Sequence, residues 1–119
     1  MNSLERPRLV AGFVALSLVF AGALTGCSGS GAGGLAAQAC AHIERGLAAA
    51  HSASTTTPAQ AAKLRAEALA QIRAALPLAA VAAGEDTTWQ ALEATLSESS
   101  RVPLRYLLPA LSAQCAGVS

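Results

Sequence analysis

The sequence predicts an all-α fold, a small bundle of three to five helices stapled by one disulfide. Apolar side chains recur with a period near 3.6 along most of residues 36–115. No useful length alternates with period 2, so no sheet is expected. Cys40 and Cys115 each fall on one of the apolar stripes, near the two ends of the folded region. A bridge between packed first and last helices would sit there.

In the first helix, over residues 36–51, Ala36, Cys40, Ile43, Leu47 and Ala50 share a face, with Gln38, His42 and Arg45 opposite. Ser54-Thr55-Thr56-Thr57-Pro58 then stops that helix and starts another: Thr57 is a good N-cap and Pro58 suits the first turn. Ala61, Leu64, Ala68, Ile72, Leu76 and Ala79 form the second stripe. Pro77 lies inside it, so a kink or break is expected, with 78–83 a shorter continuation and Gly84 a C-cap. Asp86 offers an N-cap for a third helix, whose Trp89, Leu92 and Leu96 face one way before Ser97-Glu98-Ser99-Ser100 interrupts it. Pro103 opens the last segment, where Leu104, Leu107, Leu108, Leu111 and Cys115 share a face and Pro109 is expected to bend or restart the helix. Alanine faces let helices approach closely, but each alanine buries little area. Such a bundle benefits from a covalent staple and leaves little room for a ligand cavity.

Ahead of this domain, Arg6 and Arg8 precede seventeen uncharged residues, Leu9 to Thr25. A basic start, an apolar run and a small-residue cleavage zone describe a secretory signal. A spanning helix wants roughly 20 apolar residues, so an uncleaved anchor is the rival reading. Gly26 favours cleavage, because a signal peptidase needs a small side chain at its cut. Pro7 separates the two arginines, which points to the general secretory route. The run ends in Leu24-Thr25-Gly26-Cys27, which resembles the lipobox of bacterial lipoproteins: an aliphatic residue, a small one, Gly, then the Cys that receives lipid. The resemblance implies a diacylglyceryl thioether on Cys27, removal of residues 1–26 by a peptidase reading Leu24, Thr25 and Gly26, and often acylation of the new N-terminus. Two acyl chains, at ~0.8 kcal/mol per buried methylene, hold a protein durably on a membrane. The expected location is therefore the extracytoplasmic face of the cell membrane.

The mature chain would be one small domain, residues 35–119, behind a lipidated Cys27 and a tether running to Gly34. Ser28–Gly34, SGSGAGG, reads as flexible coil, with an r.m.s. reach near ~15 Å. The Ala-rich, Lys-poor, Asn-free remainder is similar in composition to small secreted proteins of high-GC actinobacteria. Its basic residues (Arg45, Lys63, Arg65, Arg73, Arg101, Arg105) are matched in number by Glu44, Glu67, Glu85, Asp86, Glu93 and Glu98. That balance gives no electrostatic case for nucleic acid. In an exported chain, Cys40 and Cys115 read as a disulfide, worth roughly 4.5 kcal/mol for a loop of about 75 residues on chain entropy alone.

No reaction centre emerges, and no cofactor or metal is expected. His42 and His51 are nine positions apart, on opposite sides of one helix; His42 is expected in solvent and His51 at a helix C-terminus, where a cation is favoured. Glu93 and Glu98 read as solvated charges, and Ser97, Ser99 and Ser100 lack a nucleophile elbow. Arg65 projects among Leu64, Ala68, Leu69 and Ile72, either to meet an acidic partner or to lay its stem on the bundle with its head in water. Trp89 is a core anchor or a docking residue. The expectation is a non-enzymatic module that binds an envelope protein. The alternative is capture of a small apolar or lipidic ligand between helices, in a cavity lined by Leu76, Leu92, Leu96, Leu107 and Leu108.

Overall fold

Four α-helices and no strand make up residues 31–118, the part of the chain that the computed structural model describes. The expected signal segment and the lipobox-like residues 24–27 lie outside the described residues. The first helix, α1, runs Ala32–Ala53. It starts earlier than the sequence predicts and takes Ala32, Gly33 and Gly34 from the expected tether. The Leu35 N–H bonds the Gly31 carbonyl at 3.1 Å. Burial of Ala36 and Ala39 holds the following turn, and propagation backward adds a hydrogen bond for each residue fixed. His51 occupies the last turn, as expected.

Ser54–Thr57 links α1 to α2, Pro58–Glu85, in a tight hairpin. Thr57 caps α2, its hydroxyl oxygen accepting from the Gln60 N–H at 3.4 Å, and Pro58 begins the first turn. The break that Pro77 could impose does not occur, α2 being one continuous helix through it, and Gly84, expected as a C-cap, lies inside the helix. Pro77 removes the partner of the Arg73 carbonyl, and both residues lie on the exposed side of the helix. Ala75 and Ala79, fully buried on either side, hold the two halves in one line of packing. The helix ends at Asp86, in extended conformation, whose N–H bonds the Ala82 carbonyl at 2.9 Å. α2 is long and apolar enough to cross a membrane by length and composition, but its alanine face is already covered by α1.

Asp86 also caps the next element, a 3-10 turn Thr87–Trp89 that leads into α3, Gln90–Ser97. Its carboxylate accepts from the Thr88 N–H at 2.9 Å. The Thr88 side chain first, and its backbone N–H second, hold the carboxyl below the usual carboxylate value. A second 3-10 turn, Glu98–Ser100, closes α3 where the serine run predicts an interruption. The last helix, α4, spans Leu104–Cys115 and neither restarts nor breaks at Pro109. Here too the proline is exposed, and so is Arg105, whose carbonyl loses its donor.

Small residues dominate the contact between α1 and α2. Ala39, Gly46, Ala49 and Ala53 are buried on one side, Ala61, Ala68, Ala75 and Ala82 on the other. Leu47 and Ala50, expected on the apolar face of α1, are only half-buried. The closest approach selects side chains that let two backbones meet, so the buried face centres on alanine and glycine. A Cβ on Gly46 would lie 3.1 Å from Ile72 Cδ1 and 3.2 Å from the Ala68 carbonyl oxygen. α3 packs on α2, and α4 lies against both α1 and α3. Ile43, Ile72, Leu96 and Leu111, all fully buried, form the centre where the four helices meet. Cys40 and Cys115 are joined in a disulfide with Cα atoms 5.5 Å apart, tying α1 to α4 as the stripes predict.

Candidate functional site

A half-open groove of about 430 Å³ runs along one side of the bundle. Ala50 supplies the α1 wall, and Arg65, Ala68 and Leu69 the α2 wall; Ser99, Val102 and the start of α4 close the third side. The groove exists because the chain turns there: the 3-10 turn ends α3, and Pro103, at φ −54° and ψ 134°, redirects the backbone into α4. Leu104 and Leu108, one helical turn apart, then present their side chains to the same space. Its floor is apolar and partly buried: Ala68 is fully buried, while Leu69, Val102, Leu104 and Leu108 are half-buried.

Two arginines, Arg65 and Arg105, belong to the lining of this groove. Both residues are exposed, and among the described residues neither has a carboxylate partner, the ion pair there being Arg101 with Glu98. Arg105 stacks over Tyr106, its Cζ 4.7 Å from the ring centroid, and its Nη2–H donates to the Tyr106 hydroxyl at 3.0 Å. Tyr106 is 63% exposed. Arg65 thus faces outward, as its long stem allows, beside Ala68 and Leu69. The sequence marks Arg65 but not Arg105, because only the folded chain brings α2 and the start of α4 together.

Of the five leucines expected around a cavity, Leu108 alone reaches the groove. Leu92, Leu96 and Leu107 are buried in the core and Leu76 packs against it. Trp89 also packs on the core and does not join Arg65. Its indole N–H is enclosed without an acceptor among the described residues, as is the Gln114 side-chain oxygen without a donor. The Gln114 amide N–H₂ donates to Thr95 Oγ1 at 3.0 Å, linking α4 to α3.

His42 departs from the expectation of a solvated ring. It is half-buried, and its Nδ1–H donates to Gln71 Oε1 at 2.8 Å across the α1–α2 seam. The helical wheel places His42 opposite Cys40 and Ile43, but the long α2 reaches far enough round to meet it. His51 is exposed. Glu93 accepts from the Ser97 hydroxyl at 2.9 Å while Glu98 pairs with Arg101, so the two carboxylates have separate local partners. Among the described residues no three His, Cys, Asp or Glu side chains converge as metal ligands would. The lipobox residues Leu24, Thr25, Gly26 and Cys27 lie outside the described region. The chain matches no protein-family model, no curated protein and no solved structure.

Proposed function

We propose that this chain is a lipid-anchored protein of the extracytoplasmic membrane face, and that its helical domain acts by binding an envelope protein rather than by catalysis. One observation carries the reading: the core is closed, yet α2 leaves an uncharged face exposed. From Ala74 to Gly84 the helix has no charged side chain. Ala74, Pro77, Val81 and Gly84 recur at helical spacing on its outer side, Val81 being 52% exposed. A contiguous apolar patch left in solvent marks an interaction surface. Leu92, Leu96 and Leu107 are packed in the core, which favours an external partner over a ligand in a cavity lined by those leucines. The anchor reading is supported by the order of features at residues 6–27, ending in Cys27.

Two experiments test the two halves. Cells fed a radioactive fatty acid should label the wild-type protein and not Cys27→Ala; equal, negligible labelling of both would remove the anchor. A photo-crosslinking amino acid at Val81, placed in the full chain in its native envelope, should yield one discrete protein adduct. The same probe at Gln38, on the exposed side of α1, should not, and Ala74→Glu should abolish the Val81 adduct. Crosslinks of equal yield from both positions, or adducts indifferent to Ala74→Glu, would overturn the interaction reading.

A further inference from the structure

We infer that the groove between α1, α2 and the start of α4 binds a single-chain amphiphilic anion: an acyl tail on the apolar floor, with its carboxylate or phosphate head between Arg65 and Arg105. The site is separate from the α2 face at Val81 and does not depend on it. Three properties of the groove select this chemistry. The floor of Ala68, Leu69, Val102, Leu104 and Leu108 offers methyl and methylene surface with no carboxylate in the lining. The charged residues in its lining are both arginines, and among the described residues neither is paired with a carboxylate. The volume, about 430 Å³, lies in the range of small-molecule sites.

Guanidinium groups recognise carboxylates and phosphates through paired N–H donors. Arg105 is ordered by Tyr106, whose ring lies under its guanidinium and whose hydroxyl accepts one N–H. Two cations at the edge of an apolar trough leave a neutral chain with its head unsatisfied and repel a cationic one. An anionic head with a tail satisfies both surfaces together. A volume of about 430 Å³ is that of a small-molecule site, and we take the ligand to be a monomer from solution rather than a bilayer surface.

The test uses full-length protein in isolated native membranes and a laurate analogue carrying a diazirine in its chain and a terminal alkyne. Photolysis followed by peptide mapping should place the adducts on the segments holding Leu69, Leu104 and Leu108. Excess laurate or dodecyl phosphate should compete, whereas acetate, dodecanol and dodecyltrimethylammonium should not. Arg65→Gln with Arg105→Gln should lower groove labelling by about tenfold, the factor that 1.4 kcal/mol of lost head-group binding produces. Retention of the Cys40–Cys115 bridge and of helical circular dichroism would show that this variant still folds. Because both arginines are exposed, a conservative second variant, Arg65→Lys, should keep most labelling through its charge. Adducts spread evenly along the chain, equal competition by dodecanol, or unchanged labelling in the double glutamine variant would each overturn the proposal. Competition by anionic vesicles as effective as that by laurate would assign the arginines to a bilayer surface instead and overturn it as well.

Discussion

Gly46 is the position where a single missing methyl group decides the packing. Its neighbours across the α1–α2 seam are Ile72 and the Ala68 carbonyl oxygen, at 3.1–3.3 Å from where a Cβ would stand. The isoleucine tip can turn aside, but the carbonyl belongs to a rigid helix and cannot. Alanine improves helix propensity by ~0.8–1.0 kcal/mol relative to glycine, whereas overpacking a tight contact costs typically ~1–3 kcal/mol. Gly46→Ala should therefore destabilise the domain by about 1 kcal/mol, read as a lower urea midpoint with an unchanged slope. A midpoint raised above wild type would mean that the helices can separate at no cost. In the sequence this glycine is a weak spot in a helix, and nothing local says that it faces a backbone. His42 teaches the same lesson from the polar side: its partner, Gln71, is 29 residues away.

Among the elements, α2 and α4 are the instructive pair because each carries a proline and neither breaks. A proline inside a helix removes one hydrogen bond and crowds the preceding turn, at about 3 kcal/mol. Tertiary burial outweighs that penalty in both helices: Ala75 and Ala79 flank Pro77, and Leu107 and Leu111 flank Pro109, all buried. The cost is still present in the folded state. Pro77→Ala should restore the bond to the Arg73 carbonyl and raise stability by about 1–3 kcal/mol, measured by chemical denaturation. A neutral or destabilising result would show that the helix has a bend to which its neighbours are fitted. Helix starts are more legible. Thr57 with Pro58, and Asp86 with Thr88, are local signals, because a cap is a contact between residues two or three apart. The boundaries expected at Gly84 and within the tether differ from those of the fold, since helix extension depends on what the next turn buries.

For the molecule as a whole, the disulfide compensates for a core built largely of alanine. It joins α1 to α4 across a separation of 75 residues. Chain entropy assigns a loop of that length roughly 4.5 kcal/mol, against the ~3–5 kcal/mol that a core in a domain of this size often supplies. Cys40→Ala with Cys115→Ala should cost about 4 kcal/mol, and reductant should lower the melting temperature of wild type but not of this variant. Equal melting temperatures with and without the bridge would show that alanine packing suffices.

The helical class, the N-caps at Thr57 and Asp86 and the partnership of Cys40 with Cys115 can be read from the chain. Each depends on periodicity, on neighbours within one turn, or on there being two cysteines in the helical domain. Continuity through Pro77 and Pro109, the seat of Gly46, the bond from His42 to Gln71 and the groove that Arg65 and Arg105 both border come from the fold. Those features depend on distances between residues remote in sequence, and a one-dimensional pattern carries no term for such distances.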